Sequence, residues 1–232
     1  DRIRSRGLGD VYKRQLEGAL PSQIDNAIET FGLNMGPFRM MDLIGLDLGW
    51  RARKLAGVDS PLTNKIADTL CENERFGQKN SKGFYNYSEG SRAPNPAPEN
   101  EEIYFKISEE NGFTRREISD EEIVDRCILA LVNEGAKILE EGVAQRASDM
   151  DIVYINGYGF PVWRGGPMFY ANSLGLDKVL EKLKGFQEID SDFWKPADLL
   201  EKLAKDELKF GEAPDINAVS YTHLRAHETE YD

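Results

Sequence analysis

Histidine is almost absent from this chain: the only two, His223 and His227, lie within its last ten residues. Their i, i+4 spacing could place both on one face of a helix, but no third ligand lies nearby, so we expect no metal site. Because histidine is also the commonest general base, residues 1–222 have none to offer for abstracting a proton.

Cysteine and long apolar runs are also scarce. Cys71 and Cys127 lie far apart in helical apolar patterns and match no metal-ligand spacing, so we predict two buried, reduced thiols, as in a cytosolic protein. No apolar run approaches the roughly 20 residues of a transmembrane helix, and no signal sequence opens the chain. The net charge of −12 repels phosphate backbones and anionic lipid, which makes nucleic acid and membranes poor partners.

The chain lacks the glycine-rich turn of a dinucleotide-binding domain. Residues 151–161, DIVYINGYGFP, imitate that turn because a β-branched run precedes Gly157 and Gly159. A third glycine is missing at the required place, and Pro161 interrupts the segment, so the match fails. No segment alternates apolar with polar residues over the length of a strand, and the pattern predicts an all-α fold.

What the chain does contain is an internal repeat. The segment GPFRMMDLIGLD, Gly36–Asp47, returns without a gap as GPMFYANSLGLD, Gly166–Asp177. We call these the first and the second motif. Their Gly, their Pro and their final Gly-Leu-Asp are identical, and self-similarity of this kind indicates a tandem duplication.

The likeness continues upstream of each motif. Ser22 to Asp25 and Ser148 to Asp151 both read Ser-x-x-Asp, which we interpret as two capping boxes at helix starts. Within the first motif, Pro37 at a first helical position opens a helix. We expect its inner side to be formed by Met40, Met41 and Ile44, as core rather than as a binding face.

The repeat and the composition together predict how the chain is divided. Residues 1–15 and those from 219 onwards resemble translated adapter sequence, so we exclude them from the fold as foreign. The prediction is a tail over 1–15, a first helical repeat over 16–88 that lacks its first turns, a proline-rich linker over 89–100, a second repeat over 101–210, and a tail over 211–232.

Two further segments have recognisable local patterns. Ser119 to Glu122 is a capping box that starts the longest helix, which ends at Gly142. In the other segment, Arg75 to Tyr87, glycines and lysines could hold a phosphate. The interpretation we favour is structural: the aromatic residues close the loop against the helices, namely Phe84, Tyr85 and Tyr87.

Three stretches of the sequence resemble those of a known protein family. They are MGPFRMMDLIGLD, FGQKNSKGFYNY and NGYGFPVWRGGP, and with their surroundings they cover about residues 16–210. The chain resembles the C-terminal helical domains of 3-hydroxyacyl-CoA dehydrogenase, as in multifunctional fatty-acid β-oxidation enzymes that also contain an enoyl-CoA hydratase part. The resemblance implies two tandem copies of that all-α domain, similar to the C-terminal domain of 6-phosphogluconate dehydrogenase, with the Rossmann domain absent.

The resemblance also implies where the chemistry lies. Members pass hydride from an acyl-CoA to NAD on a preceding Rossmann domain, which also holds the histidine base. We therefore expect this chain to be a fragment of such an enzyme, inactive alone and binding no cofactor. Its implied partners are the missing Rossmann and hydratase domains and, through them, acyl-CoA, with self-association also expected. The implied location is the bacterial cytoplasm, with the peroxisome as the alternative.

By position in the family, the first repeat closes one side of the acyl-CoA cleft. The residues that the resemblance places there are Met35, Gly36, Pro37 and Phe38, with Lys79 and Lys82 near the anionic CoA. The alternative is a purely packing role for the motif, since its second copy lies where no active site is expected. At the level of the whole chain, the alternative function is a non-catalytic helical docking or dimerisation module.

Overall fold

The computed structural model describes residues 15–212, and they form two compact units that meet in sequence between Cys127 and Ile128. The first unit contains helices α1 Pro21–Phe31, α2 Pro37–Ile44, α3 Asp47–Ala56, α4 Leu62–Glu72 and α5 Glu101–Glu110, with strands β1 Asn86–Tyr87 and β2 Pro94–Asn95. Helix α6, Asp120–Glu140, begins in this unit and ends in the second. The second unit continues with α7 Ala147–Tyr158, α8 Pro167–Leu174, α9 Leu176–Gln187 and α10 Asp198–Lys205.

The all-α prediction is confirmed. Apart from the two-residue strands, which pair antiparallel with Asn86 opposite Asn95, the regular elements of residues 15–212 are α-helices and three short 3₁₀ turns. The 3₁₀ turns are Gln78–Asn80, Pro98–Asn100 and Val162–Arg164. No helix within the described part of the chain is long and apolar enough to cross a membrane.

Helix ends follow ordinary chemistry in several places. Both motif helices have Pro at their first position, where the missing N–H costs no hydrogen bond. At the start of α6, the backbone N–H of Glu122 donates to the Ser119 hydroxyl over 3.1 Å, which confirms Ser119 as the cap. The Glu122 carboxylate instead bonds Arg116 and Arg126. The other two predicted capping boxes are wrong, because α1 and α7 begin after Leu20 and Arg146 and neither cap is made by a side chain.

The core of the first unit extends beyond the predicted first repeat. Tyr104 and Ile107 of α5, together with Ile118 and Ile123, are buried in the same cluster as Ile24 and Leu70. The amphipathic face of α5 is thus satisfied within the first unit, and the structural division falls at 127/128 although the predicted second repeat begins at 101. The predicted linker, residues 89–100, also packs on the first unit at its end. Asn100 is buried there and donates to the carbonyl oxygens of Gly83 and Phe84.

The second unit has a core of its own. It is formed by the buried side chains Leu129, Val132, Ala136, Met150, Tyr154, Phe160, Met168, Ala171, Val179, Leu183, Trp194, Leu200 and Leu203. Asn133, on α6, is buried and bonds the backbone of residues 195 and 197, over 2.9 and 2.8 Å. It therefore fastens the segment before α10 to the core.

The predicted tails fall mostly outside the described residues. Residues 1–14 and 213–232, including His223 and His227, are among them. At Gln15 the predicted tail extends one residue too far, because Gln15 is fully buried and its carbonyl oxygen accepts a hydrogen bond from Arg115 over 2.8 Å.

Candidate functional site

The first motif is held in place by a buried carboxylate of α1. Asp25 Oδ1 accepts the backbone N–H of Phe38 over 2.9 Å, and Oδ2 accepts the N–H of Arg39 over 3.0 Å and the Tyr85 hydroxyl over 2.6 Å. The first N–H groups of a helix have no partner within it, so the carboxylate both satisfies them and meets the positive end of the helix dipole. Asp25 therefore fixes where α2 begins.

The approach of α1 to the motif requires glycine at position 36. A Cβ there would lie 2.3 Å from the Asp25 Cβ. The Gly36 N–H donates to Glu29 Oε1 over 2.9 Å, so this backbone is held from both sides. Burial raises the pKa of Asp25 to about 6, although the hydrogen bonds from Tyr85, Phe38 and Arg39 oppose this shift.

A second buried carboxylate, Asp42 on α2, fastens the loop after Arg75. Its Oδ1 accepts the N–H of Phe84 over 2.9 Å, and its Oδ2 accepts the N–H of Tyr85 over 3.0 Å and the Tyr87 hydroxyl over 2.9 Å. We call Asp42 with these three donors the first clasp. A Cβ at Gly83 would lie 2.0 Å from Asp42 Oδ1, so the loop approaches closely because residue 83 is glycine.

The loop after Arg75 is also held by Arg75 itself. The buried Arg75 guanidinium donates to the Gly83 carbonyl over 2.9 Å, to Asn86 Oδ1 over 2.8 Å and to Glu99 Oε1 over 3.0 Å. Phe84, Tyr85 and Tyr87 are buried. The favoured interpretation of this segment, a structural closing loop, is the arrangement that the structure has.

The structure places the six predicted site residues in different surroundings. Phe38 is fully buried and packs edge-to-face on Phe84, with ring centroids 4.6 Å apart, so its side chain faces the core. Gly36 is buried, while Met35 and Pro37 are partly exposed. Lys82 is exposed, and Lys79 pairs with the Asp47 carboxylate.

The inner side of α2 differs from its prediction. Its buried residues are Phe38 and Asp42, whereas Ile44 is 50% exposed and Met40 and Met41 are only partly buried. The prediction of Ile44 as an inner residue was wrong. The helix instead buries the Asp42 carboxylate, which accepts three hydrogen bonds from the loop of residues 83–87.

Asp47, at the end of the first motif, carries two cations. Lys79 pairs with one carboxylate oxygen, and Arg51 Nε lies 3.1 Å from the other. Burial alone would raise the pKa of Asp47, but the hydrogen bond and charge of Lys79, with the charge of Arg51, outweigh it and hold the pKa below its usual value. Lys79 thus bonds the start of α3, while its side chain is about half exposed.

The second motif has a counterpart of Asp25 at its helix start but a different residue at the position of Asp42. Asp151 of α7 accepts the N–H of Met168 over 2.7 Å and that of Phe169 over 3.2 Å, and a Cβ at Gly166 would lie 2.4 Å from the Asp151 Cβ. Where the first motif has Asp42, the second has Asn172. We call Asn172 with the backbone of Phe210 the second clasp: the amide donates to the Phe210 carbonyl over 3.1 Å and accepts its N–H over 2.9 Å.

Sequence reasoning missed these buried fastening groups. Asp25 and Asp151 were assigned to caps of their own helices, whereas each caps the following motif helix. The signal that could have found them is the aspartate that stands upstream of both Gly-Pro pairs, in α1 and in α7. Within residues 15–212 no cluster of His, Cys, Asp or Glu could hold a metal ion.

The segment that imitates a dinucleotide-binding turn does not fit NAD. Gly157 and Gly159, which imitate a dinucleotide turn, lie at the end of α7, where Gly159 is the left-handed C-cap. A pyrophosphate is bound instead at a helix N-terminus after a strand, where N–H groups point to the ligand. No such strand precedes a helix in the described part of the second unit.

Taken together, the fold and site define a helical domain protein in which buried side chains hold Gly-Pro helix starts and closing loops. A family model described as 3-hydroxyacyl-CoA dehydrogenase, C-terminal domain, matches residues 1–87 and 123–216. The chain belongs to this family. The match includes residues 1–14, for which the prediction is a foreign tail.

Individual relatives agree with this family. The chain is 42% identical over 204 residues to the peroxisomal bifunctional enzyme of Danio rerio, covering 81% of this chain and 28% of that protein. It is 33% identical over 196 residues to the fatty acid oxidation complex subunit alpha of Pseudomonas savastanoi, covering 82% and 27%. The crystal structure of the dehydrogenase part of multifunctional enzyme 1 from C. elegans matches with a TM-score of 0.68 at 29% identity, covering 87% of this chain and 47% of that one. The chain thus spans less than a third of the length of these curated relatives.

Proposed function

We propose that the chain acts as the C-terminal helical part of an NAD-dependent 3-hydroxyacyl-CoA dehydrogenase of fatty-acid β-oxidation. It closes the acyl-CoA cleft and packs domains or subunits together, while hydride transfer takes place elsewhere in the enzyme. The observation that carries this proposal is the match of the family model to both Gly-Pro segments, at residues 1–87 and 123–216. NAD and acyl-CoA are ligands of the whole enzyme in this proposal.

Within the cleft, we assign the partly exposed Met35 and Pro37 to contact with the substrate. Gly36 and Phe38 act indirectly, because Gly36 permits the close approach of Asp25 and Phe38 anchors the helix in the core. We assign the exposed Lys82 to the anionic CoA. Lys79, exposed as well, is the second cation assigned there, although it also pairs with Asp47.

We propose that this chain alone does not turn over substrate. A general base must come within hydrogen-bond reach of the hydroxyl that it deprotonates. Asp25 and Asp42 have pKa values near 6, which would suit a base, but both are buried and their oxygens already accept hydrogen bonds from the protein. No histidine occurs between residues 1 and 222.

We also propose that the two motifs arose by tandem duplication, in repeats over 16–88 and 101–210. Supporting observations are the two carboxylates, Asp25 and Asp151, that cap equivalent helices, and the equivalent residues Asp42 and Asn172, which each bind a later segment. For the location we favour the bacterial cytoplasm with the peroxisome as alternative, since relatives include both bacterial and peroxisomal enzymes.

A chimera tests the proposed activity. Residues 15–212 would replace the matched segment of the Danio rerio enzyme, to which the chain is 42% identical. We expect the chimera to form NADH from a 3-hydroxyacyl-CoA and the isolated chain to form none. A chimera that folds, as judged by circular dichroism, but forms no NADH would contradict the proposal, and so would turnover by the isolated chain.

One observation favours the second candidate, a docking or dimerisation module. Helix α3 and its end expose Leu48, Leu55 and Val58 by 61%, 90% and 60%. Apolar groups exposed together in this way are typical of a covered surface. Light scattering of the isolated chain, read together with the activity of the chimera, decides. A stable dimer that Leu55→Glu dissociates, with a folded but inactive chimera, would support the module, and an active chimera would support the enzyme.

A further inference from the structure

The two clasps perform the same task with different chemistry. In the first clasp a carboxylate binds two backbone N–H groups and a hydroxyl, whereas in the second an amide exchanges two hydrogen bonds with one residue. A carboxylate can bind a proton in the range of mild acid, and an amide cannot. The clasps should therefore respond differently to pH.

The surroundings of Asp42 leave its charge poorly compensated. It is fully buried, and none of its hydrogen bonds within residues 15–212 comes from lysine or arginine. The titratable or charged groups that face it from the packed elements are Tyr85 and Tyr87 in the loop, Arg75 after α4, Tyr104 on α5 and, beyond the shared Tyr85, Asp25 on α1. Arg75 is the only cation among them, and its guanidinium is already bonded to Gly83, Asn86 and Glu99.

We propose that the first clasp is a proton-responsive fastening that holds the loop of residues 83–87 more tightly in mild acid than at neutral pH. The proton comes from water and binds Asp42 Oδ2. The new O–H then donates to the Tyr87 oxygen, so Tyr87 changes from donor to acceptor. Gln78 donates to this hydroxyl, and a flip of its amide group turns the amide oxygen toward Tyr87, where it can accept the hydrogen that no longer bonds Asp42.

The direction follows from linkage. Burial raises the pKa of Asp42 in the closed clasp to about 6, against the hydrogen bonds of Phe84, Tyr85 and Tyr87. An opened loop returns the carboxyl to water and to its ordinary pKa near 4. The closed clasp thus binds the proton more tightly, and this stabilisation is complete below pH 4 and lost as the pH rises through 6. The loop should open about tenfold less often at pH 5 than at pH 7.

Hydrogen exchange of the full chain tests this proposal, because it reports opening at single amides. After correction for the intrinsic rate, we expect about tenfold greater protection of the Phe84 and Tyr85 amides at pH 5 than at pH 7. The Phe210 amide of the second clasp, held by Asn172, should change less than about twofold. Asp42→Asn should remove most of the difference at Phe84 and Tyr85.

A second variant covers the case in which Asp42→Asn does not fold. Tyr87→Phe keeps the carboxyl but deletes a donor that favours its charged form, so the midpoint of the pH effect should move to higher pH. A structural role alone would weaken protection equally at every pH. Equal protection of Phe84 and Tyr85 at pH 5 and 7, an undiminished pH effect in Asp42→Asn, or an unmoved midpoint in Tyr87→Phe would each overturn the proposal.

Discussion

The two motifs begin alike and end differently. In both, a buried aspartate from the preceding helix receives the first N–H groups of a Gly-Pro helix, at Asp25 and at Asp151. Six residues after the glycine they diverge: Asp42 is a fully buried carboxylate with three donors, and Asn172 is a half-buried amide bonded to one residue. The shared part explains the fold of each helix start, and the difference marks the first unit as the one with a charged, tightly closed loop.

Removing the two clasps should give the largest contrast. Asp42→Ala leaves two N–H groups and one hydroxyl without a partner, each costing about 1–3 kcal/mol, so we expect a loss of about 4 kcal/mol in the free energy of unfolding. Asn172→Ala loses two bonds at a half-buried site, and we expect about 1–2 kcal/mol. Urea denaturation of both variants measures this, and equal losses would break the comparison.

A methyl group should distinguish a close approach from open space. Gly83→Ala would place its Cβ 2.0 Å from Asp42 Oδ1, and we expect a loss of about 2–3 kcal/mol as the loop shifts. The matched control is Gly185→Ala in α9, where nothing lies within 4 Å of the added Cβ and helix propensity gains about 0.5–1 kcal/mol. A tolerated Gly83→Ala in thermal melts would mean that the clasp is looser than described.

The shared fastening should show a smaller contrast. Asp25→Asn replaces one of the two accepting oxygens with an NH₂ group. That group then faces either the Phe38 N–H or the Arg39 N–H and Tyr85 hydroxyl, and we expect the free energy of unfolding to fall by about 2 kcal/mol. Asp151→Asn affects fewer donors, since two N–H groups point at it, and should cost about 1 kcal/mol. The same denaturation series serves, and a larger cost at Asp151 would contradict this ranking.

Local sequence signals were enough to predict helix starts but not the buried carboxylates that hold the helices in place. Pro37 and Ser119 marked helix starts correctly, because the chemistry of a helix end lies within a few residues. Asp25 acts on a helix start 13 residues later, and Asp42 on donors 42 to 45 residues later. Partners at such separations are brought together by packing, so a pattern at helical spacing suggested Ile44 as core and overlooked Asp42.

The site was predictable to a similar degree. The resemblance to the family placed residues 35–38 together at one helix start, and their role as a common site stays a prediction. Which of them could meet a ligand depended on side-chain direction, and the structure turns Phe38 into the core against Phe84. The residue type of Lys79 indicated an anionic partner. That this partner includes Asp47 could not be read from local sequence, because 32 positions separate the two residues.

The most direct test of the account compares Pro37→Ala with Pro167→Ala in the Danio rerio chimera. Both replace the first residue of a motif helix, but Pro167 is buried and Pro37 is only partly buried. Circular dichroism of both variants therefore serves as the control for folding. If only the first motif meets substrate, Pro37→Ala should lower kcat/KM for the 3-hydroxyacyl-CoA about tenfold through a displaced cleft wall, and Pro167→Ala should change it less than about twofold. Equal effects of the two substitutions, or a larger effect of Pro167→Ala, would contradict the claim that the first motif alone lines the cleft.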